Sequence, residues 1–560
     1  MHQTSTPPPA TPWWKDAVVY QIYPRSFMDS NGDGIGDLQG IIRKLDYLRD
    51  LGVNVLWLCP IFSSPNDDNG YDISDYQGIM AEFGTMADFD QLLSEAHSRG
   101  IKILLDLVLN HTSDEHPWFQ ESRSSRDNPK RDWYIWRDGK NGGPPNNWES
   151  IFNESAWRYD ETTDQYFLHV FSSKQPDLNW ANPEMRLAVY EMVRWWLDKG
   201  VDGFRIDAIT HIRKVDGLPD MPNPDGLKAV PSMPMHMNVD GVLDDIKDLC
   251  DNTFAHYDIM TVGEANGVKV DQAPDWVGED AGRFNMLFQF EQLTLWSTDE
   301  AGLNLPHLKD TLTRWQKGLE GRGWNALFVE NHDIPRIVST WGNDAKYWRE
   351  SATAIATMYF LMQGTPFIYQ GQELGMTNYP FSELQQFDDV AIHNKARLWR
   401  EQGWGDEDII SSLRDNARDN SRTPMQWTPG PNAGFTTGEP WLAVNPNHRT
   451  LNAEAQQEDP KSVLNYYKRM IQLRREHPGL VHGVYDLVLG EHEQIFAYTR
   501  THGDERFLVM CNLSDRVAEF EGLADAVSSE KLVLANHEVE AHAGVTAGRL
   551  KPYEARVYRL

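Results

Sequence analysis

Eight short apolar runs alternate with amphipathic stretches, acidic residues collect where those runs end, and the last part of the chain turns to short alternating segments. These three observations predict an α/β chain. The expected architecture is a (β/α)8 TIM barrel with an inserted small domain after the third strand and a C-terminal antiparallel β-sandwich domain.

The elements follow in order. Ala17–Arg25 reads as the first buried strand. Gly40–Leu51 places Ile41, Ile42, Leu45, Leu48 and Leu51 at a helical period. Val53–Pro60 is the second strand, Ala87–Ser98 a helix ended by Gly100, and Lys102–Asn110 the third strand. The stretch from His111 to Trp180 is rich in Asn, Gly, Pro, Ser and Trp. A structureless loop of that length is improbable in a compact chain, so an inserted domain is expected. Pro183–Lys199 is a helix with Pro at its start and Gly200 after it. Gly203–Ala208, Met260–Ala265, Phe284–Glu291, Asn325–Asp333 and Pro366–Glu373 supply strands four to eight, and Tyr379–Pro429 is an excursion after the eighth. The expected division is a disordered leader over 1–12, the barrel over 13–110 and 180–482, the insert over 111–179 and the β domain over 483–560.

Composition narrows the function. The 560 residues carry 83 acidic and 52 basic side chains, a formal net charge of −31. Neutralising phosphates needs clustered Lys and Arg, so nucleic acid and anionic membranes are excluded as partners. No run of 18 apolar residues exists to span a bilayer, and the N-terminus lacks a basic start followed by an apolar run. Cys59, Cys250 and Cys511 have neither disulfide nor zinc spacing. A cytoplasmic protein, monomer or homodimer, is expected. Aromatics make up 11% of the residues, 21 of them Trp, a supply that suits stacking on sugar rings as well as ordinary cores.

The acids carry the chemistry. Asp207, Glu264 and Asp333 end the fourth, fifth and seventh expected strands, and Asp106 and His111 lie at the end of the third. Barrel enzymes place their reacting groups at that face. Three converging carboxylates are what glycosidic cleavage needs: one protonates the leaving oxygen, one attacks the anomeric carbon, and a third stabilises the developing positive charge.

DLVLNH (Asp106–His111), GFRIDAI (Gly203–Ile209), GEA (Gly263–Ala265) and ENHDIPR (Glu330–Arg336) resemble the four signature regions of glycoside hydrolase family 13, the α-amylase family. QPDLNW (Gln175–Trp180), DDNGYDISDY (Asp67–Tyr76) and RDNSRTPMQW (Arg418–Trp427) resemble its α-glucosidase and oligo-1,6-glucosidase branch. The resemblance implies that Asp207 is the nucleophile, Glu264 the general acid and then base, and Asp333 the transition-state stabiliser. It implies that His111 and His332 bind glucose hydroxyls in the −1 subsite and that Tyr71 stacks on that sugar. Asp68 and Arg418 would pair at the non-reducing end and make the enzyme exo-acting, with Arg422 the rival for Arg418. Arg205, two residues before Asp207 on the same strand face, should keep that carboxylate ionised.

Asp29, Asn31, Asp33, the Ile35 carbonyl and Asp37 stand at positions 1, 3, 5, 7 and 9 of a loop like the start of an EF-hand, with Gly40 where position 12 would be a bidentate Glu. A structural calcium ion is expected there, and no organic cofactor. In the family, Ala208 after the nucleophile goes with α-1,4 preference and Val with α-1,6. The expected activity is therefore a retaining exo-α-glucosidase on short, maltose-type α-glucosides, with transglucosylation as a side activity. The alternatives are an oligo-1,6-glucosidase acting on isomaltose-type substrates, or a sugar isomerase or transglucosylase of the same family. The isomerase reading lacks its Arg-Leu-Asp-Arg-Asp stretch; the nearest region runs Phe387–Glu401. From another class, a non-catalytic carbohydrate-binding homologue is disfavoured by the complete set of acids.

Overall fold

The computed structural model of the protein describes residues 11–279, 283–292 and 303–560. Of the expected leader over 1–12, residues 1–10 lie outside the described residues. Eight parallel strands form the central sheet: β1 (Val19–Ile22), β2 (Val55–Leu58), β3 (Lys102–Val108), β4 (Gly203–Asp207), β5 (Met260–Glu264), β6 (Met286–Phe288), β7 (Ala326–Leu327) and β8 (Thr365–Tyr369). Their order is β6-β5-β4-β3-β2-β1-β8-β7, and a parallel bridge between Leu287 and Asn325 closes the ring.

The strands form because their side chains are apolar on both faces, as a sheet wrapped by helices requires. Val19, Val55, Trp57, Leu104, Val262, Met286, Phe288 and Phe367 fill the barrel interior. The outward residues of the same strands meet the helices.

Helix α1 (Leu38–Leu51) starts two residues before the expected stretch does, because Asp37 accepts a hydrogen bond from the Gly40 amide and caps it. Helix α2 (Met86–Ser98) begins with a reciprocal cap between Thr85 and Asp88. Helix α3 (Pro183–Lys199) is capped by Asn182 and ends on Gly200, whose φ of 106° suits glycine.

The expected seventh strand, Asn325–Asp333, pairs only over Ala326–Leu327. Beyond it, Glu330 binds Arg336 at 2.7 Å and the Ile337 amide at 3.0 Å, which turns the chain out of the ladder.

The insert carries a helix, Pro117–Ser124, and a three-stranded sheet over Trp136–Arg137, Trp157–Asp160 and Gln165–Leu168. It has its own small core of Trp148, Ala156, Trp157, Leu168 and Val170. The loop after β4 leans on it, with Val230–Pro231 pairing parallel to Trp148–Glu149. The C-terminal domain is a five-stranded antiparallel sheet faced by a two-stranded one, with Ile495, Leu508, Met510, Phe520 and Leu550 between them.

That domain is joined to the barrel by two buried arginines. Arg474 donates to the carbonyls of Phe360, Met362, Gly364 and Leu480. Arg500 donates to those of Leu361, Leu480, Val481 and Gly483. Cys59, Cys250 and Cys511 are buried free thiols. Among the described residues, no helix is long and apolar enough to cross a membrane.

Candidate active site

The floor of the site is built by strand register. β3 and β4 pair with Arg205 opposite Asp106, so both side chains leave the same face, and Asp207 follows two residues on. The Arg205 guanidinium then meets three carboxylates: Nη1 lies 2.9 Å from Asp106 and 2.6 Å from Asp207, and Nη2 lies 2.9 Å from Glu264 at the end of β5. Glu264 also accepts from the Ala208 amide at 2.7 Å. Asp106 is fixed by Trp57 Nε1 and the Tyr71 hydroxyl, each at 3.1 Å.

The far side is built around Asp333. Gln21 donates to His332 Nδ1 at 2.8 Å, so the imidazole proton sits on Nε2, which faces the Tyr71 hydroxyl at 2.6 Å and Asp333 at 3.1 Å. Tyr71 stacks on His332 with centroids 5.3 Å apart. Arg422 donates to Asp333 at 2.9 Å and to the His332 carbonyl at 3.0 Å. Arg418 reaches Asp333 and Asp68, each at 3.3 Å, but its strong partner is Asp389, which it grips with two bonds of 2.8 and 2.6 Å. Phe152 of the insert covers the Arg418 guanidinium at 5.4 Å. His111 receives a bond from Asn110 on Nδ1 and faces the Tyr71 carbonyl at 3.2 Å through Nε2. These groups enclose a cavity of about 440 Å³ whose lining includes Asp68, Tyr71, His111, Asp207, Glu264 and Asp333.

Burial works against every charge in this cavity. Asp207 is pushed well above the usual carboxylate range by burial and by Glu264 and Asp106, with Arg205 pulling the other way. Asp106 is pushed up to about 6 by burial, which Arg205 offsets only in part. The expectation that Arg205 alone keeps Asp207 ionised is thus corrected: one guanidinium serves three acids and does not offset the burial of this one. Burial also opposes the charge on Asp333, but His332, Arg418 and Arg422 outweigh it and hold that carboxyl well below its usual range. Burial pushes His332 itself down to about 3, so at neutral pH the two guanidiniums carry this effect. Asp389 is held at about 2, burial being overcome by Arg418 and Arg422. Burial likewise takes His111 down to about 3, a neutral hydrogen-bonding group at working pH.

Ala208 lines the cavity with φ +42°. A β-branched residue is a strained occupant of that backbone region, so alanine here answers a backbone demand as well as a steric one. The candidate metal residues form a chain of turns. Asp29 accepts from the amides of Asn31, Gly32 and Gly34 and from the Thr436 hydroxyl. Asn31 accepts from Asp33, and Asp33 from Ile35. Asp37 accepts from Ser30 and caps α1. The donor set is all oxygen, which suits a hard cation. Among the described residues, no three acidic, His or Cys side chains converge to hold a metal.

Three functional neighbours escape sequence reasoning. Asp389 lies 29 residues from Arg418 with no motif around it. Gln21 and Phe152 sit on a strand and in an irregular loop that give no local signal. Asp106 is visible as a strand-end acid, but its hold on Arg205 appears only when β3 and β4 pair.

The α-amylase catalytic-domain family model matches residues 21–483. The probable oligo-1,6-glucosidase 3 of Bacillus subtilis (strain 168) is 57% identical over 98% of this chain and 99% of its own length. The oligo-1,6-glucosidase of Halalkalibacterium halodurans is 53% identical over the same shares. The crystal structure of Bacillus licheniformis trehalose-6-phosphate hydrolase superposes with a TM-score of 0.91 at 43% identity, covering 98% of this chain and 100% of that one. A ring of eight parallel strands, with Asp207 and Glu264 sharing one arginine at its mouth, is therefore that of a glycoside hydrolase, and the chain belongs to the α-glucosidase branch of the α-amylase family.

Proposed function

We propose that the protein is a retaining, exo-acting glucosidase that removes single α-glucose units from short, chiefly α-1,6-linked α-glucosides. The observation that carries the chemistry is the shared guanidinium. Asp207 and Glu264 bind the two ends of Arg205 at 2.6 and 2.9 Å. That closeness suits the carboxyl separation of about 5–5.5 Å used in retaining cleavage rather than the wider, water-holding gap of inversion. Asp207 attacks the anomeric carbon as Glu264 gives its proton to the leaving oxygen. Glu264 then takes a proton from the incoming water. Asp333, anchored by Arg418 and Arg422, is the fixed negative charge beside the oxocarbenium-like transition state. A second sugar can replace that water, which gives transglucosylation.

Exo action rests on the closed end of the pocket. Asp389, Arg418 and Asp68 form a wall of paired charges that leaves no passage for a glucan to run through. The linkage rests on the relatives, whose printed names are oligo-1,6-glucosidases. Ala208 favours the maltose-type reading as the second one, although its backbone angle weakens the inference. Glucose release from isomaltose and maltose, with Asp207→Asn as the blank, decides between them. Higher kcat/KM on isomaltose supports the α-1,6 assignment; higher kcat/KM on maltose returns it to Ala208 and α-1,4.

A calcium ion bound through Asp29, Asn31, Asp33, the Ile35 carbonyl and Asp37 would tie the loop after β1 to the Thr436 segment. Its role is structural, since carboxylate chemistry cleaves the bond without metal. Chelation is expected to lower the Tm while leaving kcat intact, and an unchanged Tm together with no calcium uptake in calorimetry counts against it. The three free thiols suit a reducing, cytoplasmic setting.

A further inference from the structure

Two histidines beside the pocket take no part in the mechanism above. His211 ends the short turn Ile209–His211 that follows the nucleophile strand, and its ring lines the cavity beyond Ala208. His236 lies in the loop that rests on the insert, buried behind it.

Their hydrogen bonds can be read in only one direction. The Ser232 hydroxyl lies 2.8 Å from the Glu149 carbonyl, which can only accept, so the single hydroxyl proton goes there. Ser232 Oγ must then accept from His236 Nε2, 3.1 Å away. With its proton on Nε2, His236 presents a bare Nδ1. That atom lies 2.9 Å from His211 Nδ1, which must therefore carry the second ring's proton. His211 Nε2 is left as a bare lone pair, and it has no hydrogen-bond partner among the described residues. Burial and the neighbouring Lys214 keep both rings neutral: His211 is pushed down to about 3 and His236 well below its ordinary value. Phe171 packs edge-on at 5.7 Å and holds the His211 ring in place.

Such a group needs a donor, and its position says which. Asp68, Asp333, His332 and Arg418 crowd the end of the cavity that holds the glucose being released. Ala208, His211, Met233 and Asn266 line the part beside Glu264, where the leaving group must lie to receive a proton from that acid. We propose that His211 reads the leaving sugar, accepting a hydrogen bond from one of its hydroxyls on Nε2, with His236 and Ser232 as positioning residues that fix the tautomer through the Glu149–Ser232–His236–His211 chain. The preferred leaving groups are thus hydroxylated sugars rather than aryl or alkyl alcohols. The inference rests on the proposed glucosidase activity and on Glu264 as its acid.

The experiment compares isomaltose with p-nitrophenyl α-glucoside, whose leaving group carries no sugar hydroxyl. For His211→Phe, kcat/KM on isomaltose is expected to fall about 10-fold further than on the aryl glucoside, as the loss of one hydrogen bond of about 1.4 kcal/mol implies. The loss should reside in KM. The ratio of transfer to hydrolysis at high sugar should fall with it. His236→Phe, which leaves His211 untouched but frees its tautomer, should show the same substrate bias at roughly 3-fold. Equal losses on both substrates in both variants, or no loss on isomaltose, would overturn the proposal. Should His211→Phe fail to fold, Ser232→Ala tests the far end of the chain by the same two-substrate ratio, with an unbiased ratio overturning the proposal. Wild-type protein that releases glucose from neither substrate would instead sink the proposed activity, so the two failures are distinct.

Discussion

The chain buries arginines in two places and uses them in opposite ways. At the mouth of the barrel, Arg205 and Arg418 each face several carboxylates, and these partners raise both guanidiniums well above their ordinary range against the effect of burial. At the joint with the C-terminal domain, Arg474 and Arg500 face backbone carbonyls, with no carboxylate at ion-pair distance among the described residues. There burial wins: Arg474 is pushed down to about 10 and Arg500 to about 9. A carboxylate partner makes an arginine an electrostatic instrument that sets the charge of its neighbours. A carbonyl partner makes it a staple, satisfying the open ends of helices. A third arrangement lies between them. Glu373, just past β8, is a buried acid with no cation, held by the hydroxyls of Tyr20 and Tyr47 at 2.8 and 2.7 Å and by the Gly371 amide.

Three substitutions sharpen this contrast. The largest effect is expected from Asp207→Asn, which removes the nucleophile: kcat should fall by roughly 10⁴-fold or more, as when covalent catalysis is lost elsewhere. The Tm should hold or rise, because one of three acids crowding Arg205 becomes neutral. A variant with near-wild-type turnover breaks the mechanism. Next is Arg500→Met, which strands several carbonyls at the domain joint. Thermal denaturation should report a loss of about 3 kcal/mol or more, with kcat at 25 °C retained. Lost turnover in a folded variant would mean that the joint governs the site.

The smallest effect concerns Glu373. Burial raises it from 4.5 to about 7, against the opposing bonds from Tyr47 and Tyr20. The folded state therefore holds a proton that the unfolded chain has released, and stability drops as pH climbs from about 4.5 to about 7. Glu373→Gln cannot ionise, so its Tm should decline less steeply with pH over that window than the wild type's. Parallel slopes would place the pH sensitivity elsewhere.

The fold is legible in the sequence because barrel strands are apolar on both faces and bounded by caps and turns. The eight runs stand in the expected order, and α3 keeps its expected bounds to the residue. The departures are local in cause. The seventh strand looks nine residues long because its apolar and polar pattern continues, but Glu330 turns its side chain to Arg336 and ends the pairing. The site is legible where several functional residues share one motif, as in Gly203–Ile209. It is dark where a partner comes from far along the chain: Asp389 for Arg418, Gln21 for His332, and the His236 that faces His211. No spacing rule connects such pairs, since only tertiary packing brings them together.

The wall made by Asp389, Arg418 and Arg422 also has a place in time. Arg418 follows Asp333 by 85 residues. At translation rates of about 5–20 residues per second, that segment leaves the ribosome roughly 4–17 s after the last of the three acids. During that interval the nascent chain carries nucleophile, acid and stabiliser but no closed end to its groove. Synthesis delivers the cutting groups first and the gauge that measures off one glucose last.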